Sequence, residues 1–135
     1  MKELNNQKWF FDKKVLYGLL GMGTVFIILC IALYSCRIYP FGDKTLVYND
    51  MQYQYLDFFI WFRNVLHGQD SLTYSFSAGL GSNTIALFAY YLASPFNLLV
   101  YFVNADQMAQ FLTLLIVLKL ILCSLTMYIF LQIRF

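Results

Sequence analysis

Residues Val15–Cys36 form an uncharged run of 22 residues, and this run constrains the fold more than any other feature. At about 1.5 Å per residue, a helix of that length spans roughly 33 Å, enough for the roughly 30 Å hydrocarbon core of a bilayer. A cleaved signal peptide is the competing reading, but its apolar region runs about 7–15 residues and ends at a small-residue site. Here the run is longer, and Leu33-Tyr34-Ser35-Cys36 matches a lipoprotein cleavage box only loosely because Tyr34 is bulky. The run therefore predicts a transmembrane helix over 15–36. Residues 1–14 are polar and set Lys2, Lys8, Lys13 and Lys14 against Glu3 and Asp12. Lysines ahead of the first span predict a cytoplasmic N-terminal tail.

Composition agrees with a bilayer setting. Only 12% of residues are charged, while 61% are hydrophobic and 20% aromatic; a soluble domain carries about 25% charged residues. A net charge of +2 is too small to draw a nucleic acid. Three cysteines, Cys30, Cys36 and Cys123, cannot make a disulfide framework, and Cys30 and Cys123 sit inside apolar runs.

Residues 37–107 are mixed, with Arg37, Lys44 and Arg63 against Asp43, Asp50, Asp57, Asp70 and Asp106. This acidic balance, after a lysine-rich tail, predicts an extracytoplasmic loop. Pro40 and Gly42 are expected to end the first helix. Residues 51–67 read as a juxtamembrane helix, with Asp50, Gln54 and Asp57 at i, i+4, i+7 on one face and Tyr55, Phe58, Phe59, Phe62 and Leu66 on another. Gly68 is its expected stop, and Gly79-Leu80-Gly81-Ser82-Asn83 a loop with tight turns rather than a phosphate loop. Residues 84–103 are uncharged, yet Ser94-Pro95 and Asn97 interrupt them. Proline removes a helical hydrogen bond, so two short interfacial helices, 85–92 and 95–103, are expected rather than one span. A second transmembrane helix is expected over 108–133, with Lys119 near its middle and residues 134–135 returning to the cytoplasm. The predicted class is all-α integral membrane, with two transmembrane helices flanking a large extracytoplasmic loop. Two spans enclose little of a polar site, so the chain reads as the front part of a longer protein or one piece of a split one.

Few groups invite chemistry. Asp50 stands where the loop enters its first helix; it reads either as an ordinary N-cap or as a general base or ligand to a divalent cation. Gln52, Gln54 and Asp57 could bind sugar hydroxyls or form the wet face of the helix. Lys119, an ionisable group at bilayer depth, is a candidate phosphate partner or a structural lysine. His67 is the only histidine, and no partner is spaced for a zinc site. Trp9, Trp61, Tyr90, Tyr91 and Tyr101 read as membrane anchors.

Four blocks, Pro40-Phe41-Gly42-Asp43, Asp50-Met51-Gln52-Tyr53-Gln54-Tyr55, Gly79-Leu80-Gly81-Ser82-Asn83 and Tyr91-Leu92-Ala93-Ser94-Pro95-Phe96-Asn97-Leu98-Leu99, together resemble the start of bacterial YfhO-type membrane proteins. That family is similar to the GT-C glycosyltransferases. The resemblance implies a GT-C-like N-terminal part in the bacterial cell membrane and transfer of a sugar from a polyprenyl-phosphate donor to a cell-wall polymer of the lipoteichoic acid type. It implies an essential acidic residue in the first outer loop, just after the first span, a position Asp50 fits; Asp50 would deprotonate or orient the acceptor hydroxyl. Arg63 and Lys119 are candidates for the donor phosphate, though no motif of the family carries them over, and Gln52, Gln54 and Asp57 are candidates for the sugar from the residue reading above. Two other readings stand beside it: a non-catalytic membrane interaction subunit, and part of a transporter or flippase for a lipid-linked sugar, which the interrupted segment and Lys119 would suit.

Overall fold

The computed structural model describes residues 2–76 and 81–134. Gly79 and Leu80 of the glycine-containing loop, Met1 and Phe135 at the ends, and the side chain of Trp9 lie outside the described residues. The chain is an α-helical membrane protein with two helices long and apolar enough to cross a bilayer, Val15–Ser35 and Ala105–Arg134. It divides into two compact units, Met1–Gly42 with Ile116–Phe135, and Asp43–Leu115.

In the first unit, helix α1 covers Lys2–Ser35. The polar residues that read as a tail are thus helical from Lys2: hydropathy marks where the membrane-crossing part begins, not where backbone hydrogen bonding starts. From Val15 onward most side chains are exposed, including Leu16, Leu19, Ile27 and Ile31. Apolar exposure around a whole helix suits lipid, not water. Polar side chains in such a helix must satisfy themselves locally. The Thr24 hydroxyl donates to the Leu20 carbonyl at 2.9 Å and the Ser35 hydroxyl to Ile31 at 2.8 Å. Helix α4, Met108–Arg134, repeats the device, with Ser124 donating to Ile121 and Thr126 to Cys123.

α1 stops earlier than its proline suggests. Arg37 takes a left-handed φ of 53°, while Ile38 N–H bonds the Leu33 carbonyl at 2.9 Å and Arg37 N–H that of Tyr34 at 3.1 Å. These two bonds make a Schellman close, so the helix ends before Pro40 and Gly42. Gly42 instead makes room for the outgoing chain to pass against the helix end, since a Cβ there would collide with the Arg37 backbone.

The second unit forms around one short helix. A π-helical turn, Met51–Tyr55, runs into α2, Leu56–Leu66. Phe59, Trp61 and Phe62 of α2 are buried in one cluster with Val47, Leu92, Val100, Met108, Leu112 and Leu115. Aromatic pairs fasten the neighbours: Phe62 on Phe88 at 5.4 Å between ring centroids, Phe59 on Phe111 at 6.3 Å, and Tyr91 on Tyr55 and Phe58 at 5.1 and 5.2 Å. Trp61 and Tyr91, which read as membrane anchors, therefore pack inside the protein; Tyr90 remains 81% exposed. α2 closes with its own Schellman pair, Gly68 N–H to Val65 and Gln69 N–H to Asn64, around Gly68 at φ 73°. Glycine takes that conformation without steric cost.

The interrupted segment folds as two helical pieces, Ile85–Leu92 and Pro95–Phe102, bent by 101°. The first begins as α3, Ile85–Leu87, and continues as a π turn, Phe88–Leu92; the second is 3-10. Ser94 is extended between them (ψ 133°), as a residue before proline prefers. Asn97 explains why the corner holds. It is 1% exposed, and its side-chain amide donates to the Leu92 carbonyl at 3.1 Å. A second polar clasp ties the loop entry to α4, Leu46 N–H donating to the Thr113 hydroxyl at 3.0 Å while that hydroxyl donates to Ala109. Two residue pairs, Tyr74↔Asn83 and Ser75↔Ser82, form a small antiparallel ladder, β1–β2, where the sequence suggested only loop.

Asn97→Leu keeps the volume but removes the amide's bond to the Leu92 carbonyl, which keeps the Ser94 N–H at 2.8 Å. One hydrogen bond is worth ~0.5–1.5 kcal/mol net, so the purified protein should melt a few degrees lower, while Leu98→Asn on the exposed side should change the midpoint little.

Candidate functional site

The wet face of the first loop helix lines a cleft. Gln54, Asp57, Trp61 and Asn64 form one wall, and Tyr53, Asp70, Ser75, Thr84 and Leu87 are among the residues that complete it. The space is about 370 Å³, within the range of small-ligand pockets. The four wall residues are spaced 3, 4 and 3 apart, the repeat of one helix stripe.

The opposite side is set by hydrogen bonds. Asp70 Oδ1 accepts the Ser71 backbone N–H at 2.8 Å, and Oδ2 accepts the Ser75 hydroxyl at 3.2 Å. Ser75 and Thr84 are both 2% exposed. The Thr84 hydroxyl donates to the Leu72 carbonyl at 2.7 Å and its N–H to Thr73 at 3.2 Å, which pins the start of α3 to the residues just before β1. Gly81, at φ +105°, packs so closely on the Tyr74 hydroxyl that a Cβ would collide with it. The carboxylates of Asp57 and Asp70 give the cleft its charge, since no Lys, Arg or His is among its lining residues. Trp61 adds one more polar group: its indole N–H is buried and has no hydrogen-bond partner among the described residues.

Asp50 lies outside this lining. It is exposed and already helical, at φ −56° and ψ −30°, and its side chain makes no capping bond. The ordinary N-cap reading therefore fails. Asn49 takes the entry instead: its φ is 49° and its carbonyl accepts Gln52 N–H at 2.9 Å and Tyr53 N–H at 3.1 Å. Asparagine tolerates the left-handed region better than most residues. The π turn also explains why Asp50 parts from Gln54 and Asp57. A π turn closes at i+5 and holds more residues than an α turn, so i and i+4 no longer stack across Met51–Tyr55.

The other expected residues scatter. Gln52 is exposed beside the cleft residues Tyr53 and Gln54 but is not part of the lining. Arg63 turns to the protein, its Nε donating to the Val103 carbonyl at 2.5 Å. Lys119 is half-buried in the middle of α4, in the first unit. His67 Nδ1 donates to the Arg63 carbonyl at 2.8 Å and its ring stacks on Tyr101 at 4.6 Å. Among the described residues no three His, Cys, Asp or Glu gather as a metal cage would require.

The family of bacterial membrane proteins called YfhO matches residues 22–135, which includes the later part of the first membrane helix, the whole second one and the whole cleft. The chain belongs to the YfhO family. No curated protein and no solved structure matches it. Three of the four blocks have a place in the fold: Pro40–Asp43 turns the chain after α1, the Asp50 block builds the π turn, and the Tyr91–Leu99 block makes the bent corner.

Sequence reasoning missed Trp61, Asn64 and Asp70. The first two were findable by extending the Gln54–Asp57 stripe at helical spacing. Asp70 was not, because nothing local says that the segment after Gly68 folds back onto α2. Thr84→Val should free the Leu72 carbonyl and loosen this fold-back. Amide exchange across Tyr74–Asn83 should quicken about tenfold, matching the ~1–1.5 kcal/mol net worth of one hydrogen bond.

Proposed function

We propose that this chain is the N-terminal module of a membrane glycosyltransferase that moves a sugar from a polyprenyl-phosphate donor to a cell-wall polymer of the lipoteichoic acid type. The observation that carries the reading is the carboxylate of Asp50, exposed and without a capping bond, one turn ahead of a cleft lined by Gln54 and Asp57. A carboxylate that serves no helix is available for proton transfer. Family membership supports the membrane setting and the GT-C-like comparison.

In this mechanism the acceptor hydroxyl gives its proton to Asp50 as its oxygen bonds the anomeric carbon. The bond from that carbon to the donor phosphate breaks, and the phosphate leaves with the electron pair. Gln52, Gln54 and Asp57 would orient sugar hydroxyls. Lys119 is the candidate for holding donor phosphate, since an ionisable residue in a membrane span is a functional candidate by default. Arg63, whose Nε holds Val103, would contribute only through its remaining N–H groups. The orientation proposed is N-terminus in the cytoplasm and residues 37–107 outside.

Asp50→Asn removes the base at nearly constant shape. Polymer glycosylation in a deletion strain complemented with the complete family protein should fall about 100-fold or more, the scale of general base catalysis; retention of wild-type labelling sinks the assignment. The 101° corner is the feature that favours a transporter instead. Lys119→Met should then abolish lipid-linked sugar translocation while Asp50→Asn leaves it intact. Orientation has its own check: Cys36 is exposed just past α1, and an impermeant maleimide should label it in intact cells.

A further inference from the structure

We infer that the bent segment, residues 85–102, is a shallow wedge sunk into the leaflet that the second span enters at Ala105, and that lipid covers its exposed face. The inference stands apart from the glycosyl-transfer reading, since it concerns what seats the loop unit on the membrane. It starts from how polarity is divided within that unit. No charged residue occurs between Asp70 and Asp106. Within that stretch Tyr90, Phe96, Leu98, Leu99 and Phe102 are exposed, Leu98 to 53% and Phe102 to 82%. On the π turn and α2, by contrast, Gln52, Gln54 and Asp57 are exposed. A cluster of exposed large apolar side chains marks an interaction surface.

Continuity with the second span names the occupant. The arm Pro95–Phe102 ends two residues before the span Ala105–Arg134, and its Val100 packs in one cluster with Met108 of that span. The arm is thus held at the level where the chain enters hydrocarbon. The corner is also built for an apolar neighbour. The Leu92 carbonyl accepts the Ser94 N–H at 2.8 Å and the Asn97 amide at 3.1 Å, and the Ser94 carbonyl accepts the Asn97 N–H at 2.9 Å. A corner facing water can leave such groups to solvent, whereas irregular backbone against lipid must be satisfied from within.

Both ends of the segment return to the polar part of the unit. Thr84 is bonded to Leu72 and Thr73 and lines the cleft. Val103 receives the Arg63 guanidinium, and the neighbouring Tyr101 stacks on His67. The two arms, about 12 Å and 16 Å long at 1.5 and 2.0 Å per residue and bent by 101°, do not bridge a roughly 30 Å core. Because Arg63 and His67 fasten the wedge to α2, its seating sets the height at which α2 and the cleft stand above the bilayer.

Spin labels read this depth. The full chain, with Cys30, Cys36 and Cys123 replaced by alanine, is labelled at a single new cysteine, Tyr90→Cys, Leu98→Cys, Phe102→Cys or Gln52→Cys, in nanodiscs of phosphatidylglycerol and phosphatidylethanolamine. Collisions with oxygen, which concentrates in lipid, are compared with collisions with a nickel chelate, which stays in water. Labels at 90, 98 and 102 should favour oxygen severalfold over the label at 52 and lie ~5–10 Å below the headgroups, the depth of interfacial helices. Preference for the chelate at 98 and 102 overturns the inference, because the face is then wet. Low access to both reagents overturns it as well, because protein, such as a second copy of the chain, then covers the face. A depth near the bilayer centre does the same and belongs to a broken span. The height has a separate measurement. Energy transfer from a fluorophore at Gln52→Cys to headgroup acceptors should fall when Leu98→Asp and Phe102→Asp are combined, and unchanged transfer removes the claim that the wedge sets the height.

Discussion

The loop unit depends on burial of one side of a single short helix. Phe59, Trp61 and Phe62 are buried on α2, and pieces from both sides of it in the chain are recruited to cover them. The π turn precedes them, Phe88 and Leu92 come from the bent segment, Val100 from its second arm, and Phe111, Leu112 and Leu115 from the start of α4. Burying one such aromatic side chain is worth about 1.5–3 kcal/mol. Short helical pieces of this kind would not persist alone, since isolated helices below ~12–15 residues are marginal in water. Packing, not propensity, makes them helices.

Burying one side leaves the other for chemistry. Asp57 and Asn64 of α2 and Gln54 of the π turn before it open on the cleft, and Trp61 sits at the boundary, its indole N–H buried without a partner among the described residues. The polar interior of the unit otherwise serves geometry. Asn97, Thr113 and Thr84 each use a side chain to hold a backbone group where the path of the chain leaves helical bonding. Arg63 does the same for Val103. By residue type alone these look like ligand candidates, and the structure assigns each a backbone partner.

Secondary-structure type was readable because the bilayer simplifies the choice. Within hydrocarbon the backbone must bond itself, so an uncharged run of this length has helix as its only single-chain answer. The interruption at Ser94-Pro95 was readable for a local reason as well, since proline removes a donor and restricts its neighbour. The stop of α1 was not. Arg37 adopts a left-handed conformation that glycine usually fills, and no composition rule nominates an arginine for it. Nor did the sequence announce the π turn, which breaks the expected face shared by Asp50 with Gln54 and Asp57.

By itself, then, the sequence determined membrane residence, the two spanning helices, the broken segment between them and the family to which the chain belongs. These follow from chain-local physics: the length of an uncharged run, the missing N–H of proline, and the order of short blocks. Tertiary structure alone decided which polar side chains share a cleft. Asp57 and Asp70 lie either side of the α2 stop at Gly68 yet line one cleft, while Asp50 is turned away by one extra residue in a helical turn. Such relations depend on how segments pack across the unit, and packing is a property of the whole core rather than of any stretch of sequence.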